Sequence, residues 1–188
     1  MILNIQNNVT TLQNQILFKA NQYKAVPLIQ YCADSVSKTL TDSSVSKSKK
    51  FYIKRIKWPI TKLMLQTYIE KNKFNFKIIL NNQGERAGIM NYFFPEPSRL
   101  HVNFIKIDKK SPRNFLDTAI CITQEILSAG KKNSVKRMSC NPINDYLGRL
   151  YNKRFGFSEK ENDLNDAKMC VNFKKFEEMA LNFIEKYS

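Results

Sequence analysis

Apolar positions recur along the chain with a period that changes several times, and each change marks an element. Met1 to about Asn14 shows no period and is rich in Asn and Gln, so residues 1–12 read as a loose arm. Ile16-Leu17-Phe18, with Lys19 and Ala20, reads as a first strand. From Gln22 the period lengthens. Val26, Ile29, Cys32, Ala33, Val36 and Leu40 share one face of a helix, with Pro27 in the first turn, where a missing N–H is tolerated. Thr41 to Lys50 is rich in Ser and Lys without apolar period, so residues 41–50 are expected to be an exposed, flexible loop. Phe51 to Lys57 is basic and aromatic. It reads either as a lip for substrate or nucleic acid, or as a loop whose aromatics plug into the core; the second is the simpler, because aromatics are core residues first. Trp58-Pro59 opens a second helix through Ile60, Leu63, Met64, Thr67 and Tyr68.

The period then drops to two. Phe74, Phe76, Ile78 and Leu80 alternate with Asn75, Lys77 and Ile79, and Asn81-Asn82-Gln83-Gly84 makes a hairpin turn. Arg86 to Phe94 is a second strand, broken by Pro95-Glu96-Pro97. Arg99 to Ile107 is a third, expected to put Leu100, Val102 and Phe104 on one face and His101, Asn103, Ile105 and Ile107 on the other. Leu116, Ala119, Ile120, Thr123, Ile126 and Leu127 are the stripe of a helix from Pro112 to about Gly130, with the glycine as its stop. A short strand over Ser134–Cys140 follows. The next helix has Asn141 as its cap and Pro142 at its first position, an apolar face of Ile143, Tyr146, Leu147 and Leu150, and Gly156 as its exit. Ala167 to Phe173 reads as a last strand. Phe173, Phe176, Ala180, Phe183, Ile184 and Tyr187 make residues 174–188 an amphipathic helix, which packs on the sheet or meets a partner or membrane.

At 188 residues, 43% hydrophobic and 12% aromatic, the composition is that of one globular domain, 1–188, and not of a disordered chain. A net charge of +15 favours encounter with polyanions, although a Lys-, Asn- and Ile-rich chain also follows from nucleotide composition alone. Cys32, Cys121, Cys140 and Cys170 show no metal-ligand spacing and the chain has one histidine, so no metal site is expected. Unpaired thiols, no signal-peptide layout and no membrane-length apolar run lead to a cytoplasmic expectation.

Asn141, then Leu150-Tyr151 and Phe155-Gly156-Phe157, resembles the late motif of the GCN5-related N-acetyltransferases (GNAT). The order of elements, β-α-α-β-β-β-α-β-α-β over about Gln13 to Phe173, is similar to that family's as well. The resemblance implies an α/β (α+β) fold, with a GNAT-like mixed and mostly antiparallel sheet flanked by helices; the C-terminal helix is extra. It implies an acyl-CoA, acetyl-CoA first among them, as co-substrate. The acceptor would be an amine: a small amine, a protein N-terminus or lysine, or an aminoacyl-tRNA.

By the same resemblance, Tyr151 would protonate the departing thiolate, and Asn141 would touch the pantetheine arm. Ile105, Lys106 and Ile107 would bind the pantetheine amides and the acyl carbonyl. The N-terminus of the helix beginning at Pro112 would take the pyrophosphate, with Arg113, Asn114, Phe115 and Leu116 beside it. The family's glycine-rich signature is missing there. Asp108 to Thr118 contains no glycine, Phe115 and Asp117 fall near the glycine positions, and Lys109, Lys110 and Arg113 offer charge in exchange. Two readings stay open: an acyl-CoA held by a remodelled loop, or the fold kept as a non-catalytic domain that binds a polyanion such as RNA or DNA. His101 is a candidate base, as the one imidazole, or an incidental strand residue. Cys140 is a weak candidate nucleophile, because no second histidine exists to pair with it.

Overall fold

The computed structural model describes residues 23–108, 112–159 and 169–187, with the backbone alone at 112–114 and 159. Among the described residues seven strands form one sheet, in the order β1-β2-β3-β4-β5-β7-β6. They are β1 (Lys24–Pro27), β2 (Asn75–Leu80), β3 (Arg86–Glu96), β4 (Arg99–Ile107), β5 (Arg137–Cys140), β6 (Ser158–Glu159) and β7 (Met169–Asn172). Every pairing is antiparallel except β4 with β5. The helices are α1 (Leu28–Thr41), α2 (Lys47–Tyr52), α3 (Trp58–Asn72), α4 (Pro112–Lys132), α5 (Asp145–Phe155) and α6 (Phe173–Tyr187).

The alternation in β2 and β3 sets the two faces of the sheet. Lys77, Ile79, Met90 and Tyr92 point towards α4, where Lys77 Nζ lies 2.9 Å from Glu125 Oε1 and the Tyr92 hydroxyl donates to the same oxygen over 3.1 Å. Phe76, Asn91 and Phe93 point to the opposite face, where Tyr68 of α3 packs on Phe74 and Phe76. Ile79, Met90, Leu100 and Met138 are fully buried. The C-terminal helix is part of the core: Phe173, Phe176, Ala180 and Ile184 are buried, and α6 packs on α4 and α5.

Several boundaries differ from the sequence reading. Residues 16–20 and the arm lie outside the described residues. The first described strand is Lys24–Pro27, which pairs with β2, so Val26 belongs to a strand and the helix starts at Leu28 rather than Gln22. The expected loop over 41–50 is shorter, because the Ser46 hydroxyl accepts a hydrogen bond from the Lys49 N–H at 3.4 Å and starts α2 at Lys47. Phe51–Lys57 is not a loop: α2 runs through a π-helical turn, Ile53–Lys57, straight into α3. Nor do its aromatics plug into the core, since Phe51 is 64% exposed and Tyr52 51%. Gly130 does not stop its helix, which continues to Lys132. It is small because Phe173 presses against it: a Cβ there would stand 2.2 Å from the Phe173 ring.

Candidate active site

The strands β4 and β5 pair over four rungs only, from Arg99–Arg137 to Val102–Cys140. Beyond Val102, β4 runs on to Ile107, while β5 ends at Cys140 and the chain leaves towards α5. The two strands therefore splay beyond that rung. On the β5 side, the peptide groups of Asn103–Ile107 form a strand edge with no paired strand among the described residues.

A β-bulge sits where the splay begins. Asn91 pairs with Phe104 and Tyr92 with Val102, which leaves Asn103 as an extra residue in β4. One extra residue inverts the alternation that follows it. Phe104 consequently shares a face with His101, and Ile105 and Ile107 share one with Leu100 and Val102, which reverses the expected placement of all three. Ile105 and Ile107 pack against the core, whereas Phe104 is 42% exposed and Lys106 is exposed. The bulge thus turns the Phe104 side chain outward at the mouth of the splay.

The loop after β4 leads into α4. Arg86 Nε lies 2.9 Å from Asp108 Oδ2, so the carboxylate at the end of β4 is neutralised by the neighbouring strand. The first turn of α4 has its N-terminal end beside the end of β4, with Arg113 and Asn114 in it; Leu116 and Asp117 are half-buried and Phe115 is 42% exposed. Lys109 and Lys110 lie outside the described residues.

On the other arm of the splay, α5 begins three residues later than the Asn-Pro pair suggested. Asn144, not Asn141, is the cap: its Oδ1 accepts from the Leu147 N–H at 3.0 Å, while Asn141 and Pro142 belong to the connection. The expected apolar face is only partly buried, because Ile143 is 85% exposed and Tyr146 66%. The helix instead turns Tyr151 and Phe155 towards the core, with Tyr151 6.2 Å from the Phe157 ring. Gly156 ends it at φ 72°, as the sequence indicated. Burial, with the nearby Cys140, raises the Tyr151 phenol above its ordinary value. Burial, with Cys170 beside it, pushes the Cys140 thiol up to about 12. Cys140 is therefore a protonated thiol at neutral pH and a poor nucleophile.

His101 is buried on the face that carries Phe93 and Ser139. Its Nδ1 lies 2.9 Å from Ser139 Oγ and its ring 5.1 Å from that of Phe93. Burial first, then the positive charge of Arg99, lowers its pKa, so the imidazole is neutral at pH 7. Asn91 shares this face next to the bulge. It is 1% exposed, and its Oδ1 has no hydrogen-bond partner. Sequence reading missed Asn91 and Ser139; the available signal was a polar residue at an inward position inside an otherwise apolar strand. The structure thus brings His101, Ser139 and Asn91 together on one sheet face, and Tyr151 beside Cys140 at the end of β5. Among the described residues no group of His, Cys, Asp or Glu could hold a metal ion.

A mixed, mostly antiparallel sheet flanked by helices, with a helix starting after β4, is the arrangement the resemblance implies. The chain has the GNAT acetyltransferase fold. A nucleotide-linked sugar GNAT, FdhC, matches with a TM-score of 0.54 at 13% identity, over 89% of this chain and 96% of its own. Spermidine N-acetyltransferase from Vibrio cholerae, in complex with CoA and spermine, matches with a TM-score of 0.52 at 8% identity, over 83% and 98%. The N-acetyltransferase PseH from Campylobacter jejuni matches with a TM-score of 0.50 at 11% identity, over 80% and 98%. No family model and no curated protein matches the sequence. At these identities the likeness lies in the fold.

Proposed function

We propose that the protein is an acyl-CoA-dependent N-acyltransferase that moves an acetyl group onto an amine. The observation that carries this reading is the splay of β4 from β5, with the bulge at Asn103 and Tyr151 at the end of the second arm. The coenzyme's arm contains amides, and the free edge of Asn103–Ile107 presents peptide N–H and C=O groups at strand spacing to pair with them. The N-terminus of α4 offers unpaired N–H groups and partial positive charge to a pyrophosphate, with Arg113 in the same turn. These residues fit the coenzyme despite the missing glycines, since Asp117 is half-buried and Asp108 is tied to Arg86.

When bound, the coenzyme supplies a thioester carbonyl. An amine nitrogen forms the new C–N bond, the C–S bond breaks, and the sulfur takes a proton. Tyr151 is the donor: a phenol held above its ordinary pKa stays protonated at neutral pH until a thiolate develops beside it. The amine must lose a proton. His101 is neutral and so able to receive it, with Ser139 fixing the ring through Nδ1. Asn91 Oδ1, on the same face, accepts an N–H of the incoming amine.

Calorimetry with acetyl-CoA is the first test. Binding, followed by acetyl transfer to any of a panel of amines, supports the reading; absence of binding retires it. The exposed Phe115 and the net charge of +15 favour one alternative, a non-catalytic domain that binds RNA or DNA. Steeply salt-dependent binding to RNA, with no thermal shift from acetyl-CoA, selects that alternative.

A further inference from the structure

The helical rod formed by α2, the π-helical turn and α3 is apolar on two opposite sides. Trp58, Leu65 and Ile69 are half-buried on the inner side. Ile60, Leu63 and Met64 recur at helical spacing on the other, and are 55%, 66% and 67% exposed. Ile56, one turn earlier, is 45% exposed, and Phe51 and Tyr52 in α2 are 64% and 51% exposed. Large aliphatic side chains at this exposure in a continuous line are unusual on a folded surface and mark a place where something docks. Seven lysines and arginines, from Lys47 to Lys62, accompany the strip, and no acidic residue occurs between Asp42 and Glu70. All seven except Lys50 are exposed.

We propose that this rod docks on the surface of an anionic lipid bilayer, with the strip from Ile56 to Met64 entering the headgroup boundary and the cations on the lipid phosphates and carboxylates. Both halves of the surface are then used: the charge is complementary and the aliphatic carbons leave water. Nucleic acid would satisfy the cations but gives Ile60, Leu63 and Met64 nothing apolar to bury against. A second copy of this chain on a two-fold axis would bury the strip but set seven like charges against seven. A protein that wraps a basic amphipathic helix needs access to all of its sides, and here the inner side faces the protein. A bilayer needs one side only. No helix among the described residues is long and apolar enough to cross a membrane, so the contact is interfacial. The proposal does not depend on acyl transfer.

The test is co-sedimentation of the full chain with vesicles of phosphatidylcholine alone and of phosphatidylcholine with about 30% phosphatidylserine. The expected result is binding to the second only, weakened by salt. A Leu63→Ser/Met64→Ser variant should bind more than about tenfold more weakly. A Lys54→Gln/Arg55→Gln/Lys57→Gln variant should lose at least about tenfold. The replaced Leu63 and Met64 side chains are two-thirds exposed, so the first variant should keep the wild-type thermal midpoint; that check separates lost docking from lost folding. Four results would overturn the proposal: no binding to phosphatidylserine vesicles, equal binding to both vesicle types, undiminished binding by the Leu63→Ser/Met64→Ser variant, or a dimer that this variant dissolves. Retention of single-stranded RNA in place of vesicles would assign the charge to nucleic acid instead.

Discussion

His101 on β4 and Ser139 on β5 meet across a rung of the parallel pair, Nδ1 to Oγ at 2.9 Å, just before the two strands part. The pair makes stability depend on pH in a definite direction. The folded-state pKa of His101 lies below its ordinary value of 6.5, so the unfolded chain binds the proton more readily. The contribution of this group is complete above 6.5 and is lost as pH falls from there through the folded pKa. Thermal midpoints should drop on acidification through this window. In His101→Gln, which retains a polar group opposite Ser139, the drop should be shallower. Parallel curves for the two proteins would remove His101 as the titrating group.

Tyr151→Phe removes one hydroxyl and keeps the ring against Phe157. If the phenol is the proton donor, turnover should fall by about two to four orders of magnitude with little change in acetyl-CoA affinity. A purely structural hydroxyl would instead cost roughly 1 kcal/mol of stability and no activity. Turnover and denaturation midpoint, measured on both proteins, separate these.

Arg113→Glu tests the helix N-terminus. Replacing a cation by an anion in the first turn of α4 should weaken acetyl-CoA about tenfold to a hundredfold in titration calorimetry while leaving the thermal midpoint of the free protein nearly unchanged. Unchanged affinity would take the pyrophosphate away from this turn.

Gly130→Ala should destabilise by about 1–3 kcal/mol, because the added methyl meets the Phe173 ring at 2.2 Å. Combining it with Phe173→Leu should recover part of the loss, as neighbouring substitutions couple. A denaturant series on the two single variants and the double variant measures the coupling; strict additivity would mean that the ring is not what excludes the methyl.

The cap of α5 supplies a fourth stability test. Asn144→Ala should cost about 0.5–2 kcal/mol, the usual loss of an N-cap acceptor, and chemical denaturation reads it directly. No loss would leave Leu147 N–H satisfied by another group.

Much of this architecture is written in local periodicity. The period of two from Phe74 to Leu80 and the stripe from Leu116 to Leu127 found β2 and α4, although β2 is covered on both faces at its end, where Ile78, Ile79 and Leu80 are all buried. The bulge at Asn103 was not legible. A bulge is a property of two paired strands, and the odd residue looks like any other until its partner is known, so Phe104 and Ile105 were assigned to the wrong faces. Asn141-Pro142 was misread since Asn144, three residues on, has the same capping chemistry. The Phe51–Lys57 segment defeated the sequence for another reason: an aromatic on a helix carries no mark of which side the protein occupies. Within the site, Tyr151 could be singled out from a short motif, whereas Asn91 and Ser139 gain meaning only from the neighbours that the sheet gives them.

The four rungs that join β4 to β5 also govern the order in which the chain can assemble. The strands β1 to β4 pair with near neighbours in sequence and can form a meander as soon as Ile107 has been made. The strand β5 follows after α4, and its second neighbour β7 comes later still, at Met169–Asn172. During synthesis the second arm of the splay is therefore added to a sheet already in place. A truncation after Lys136 should leave the meander with the outer edge of β4 unpaired, and the cleft without its second wall.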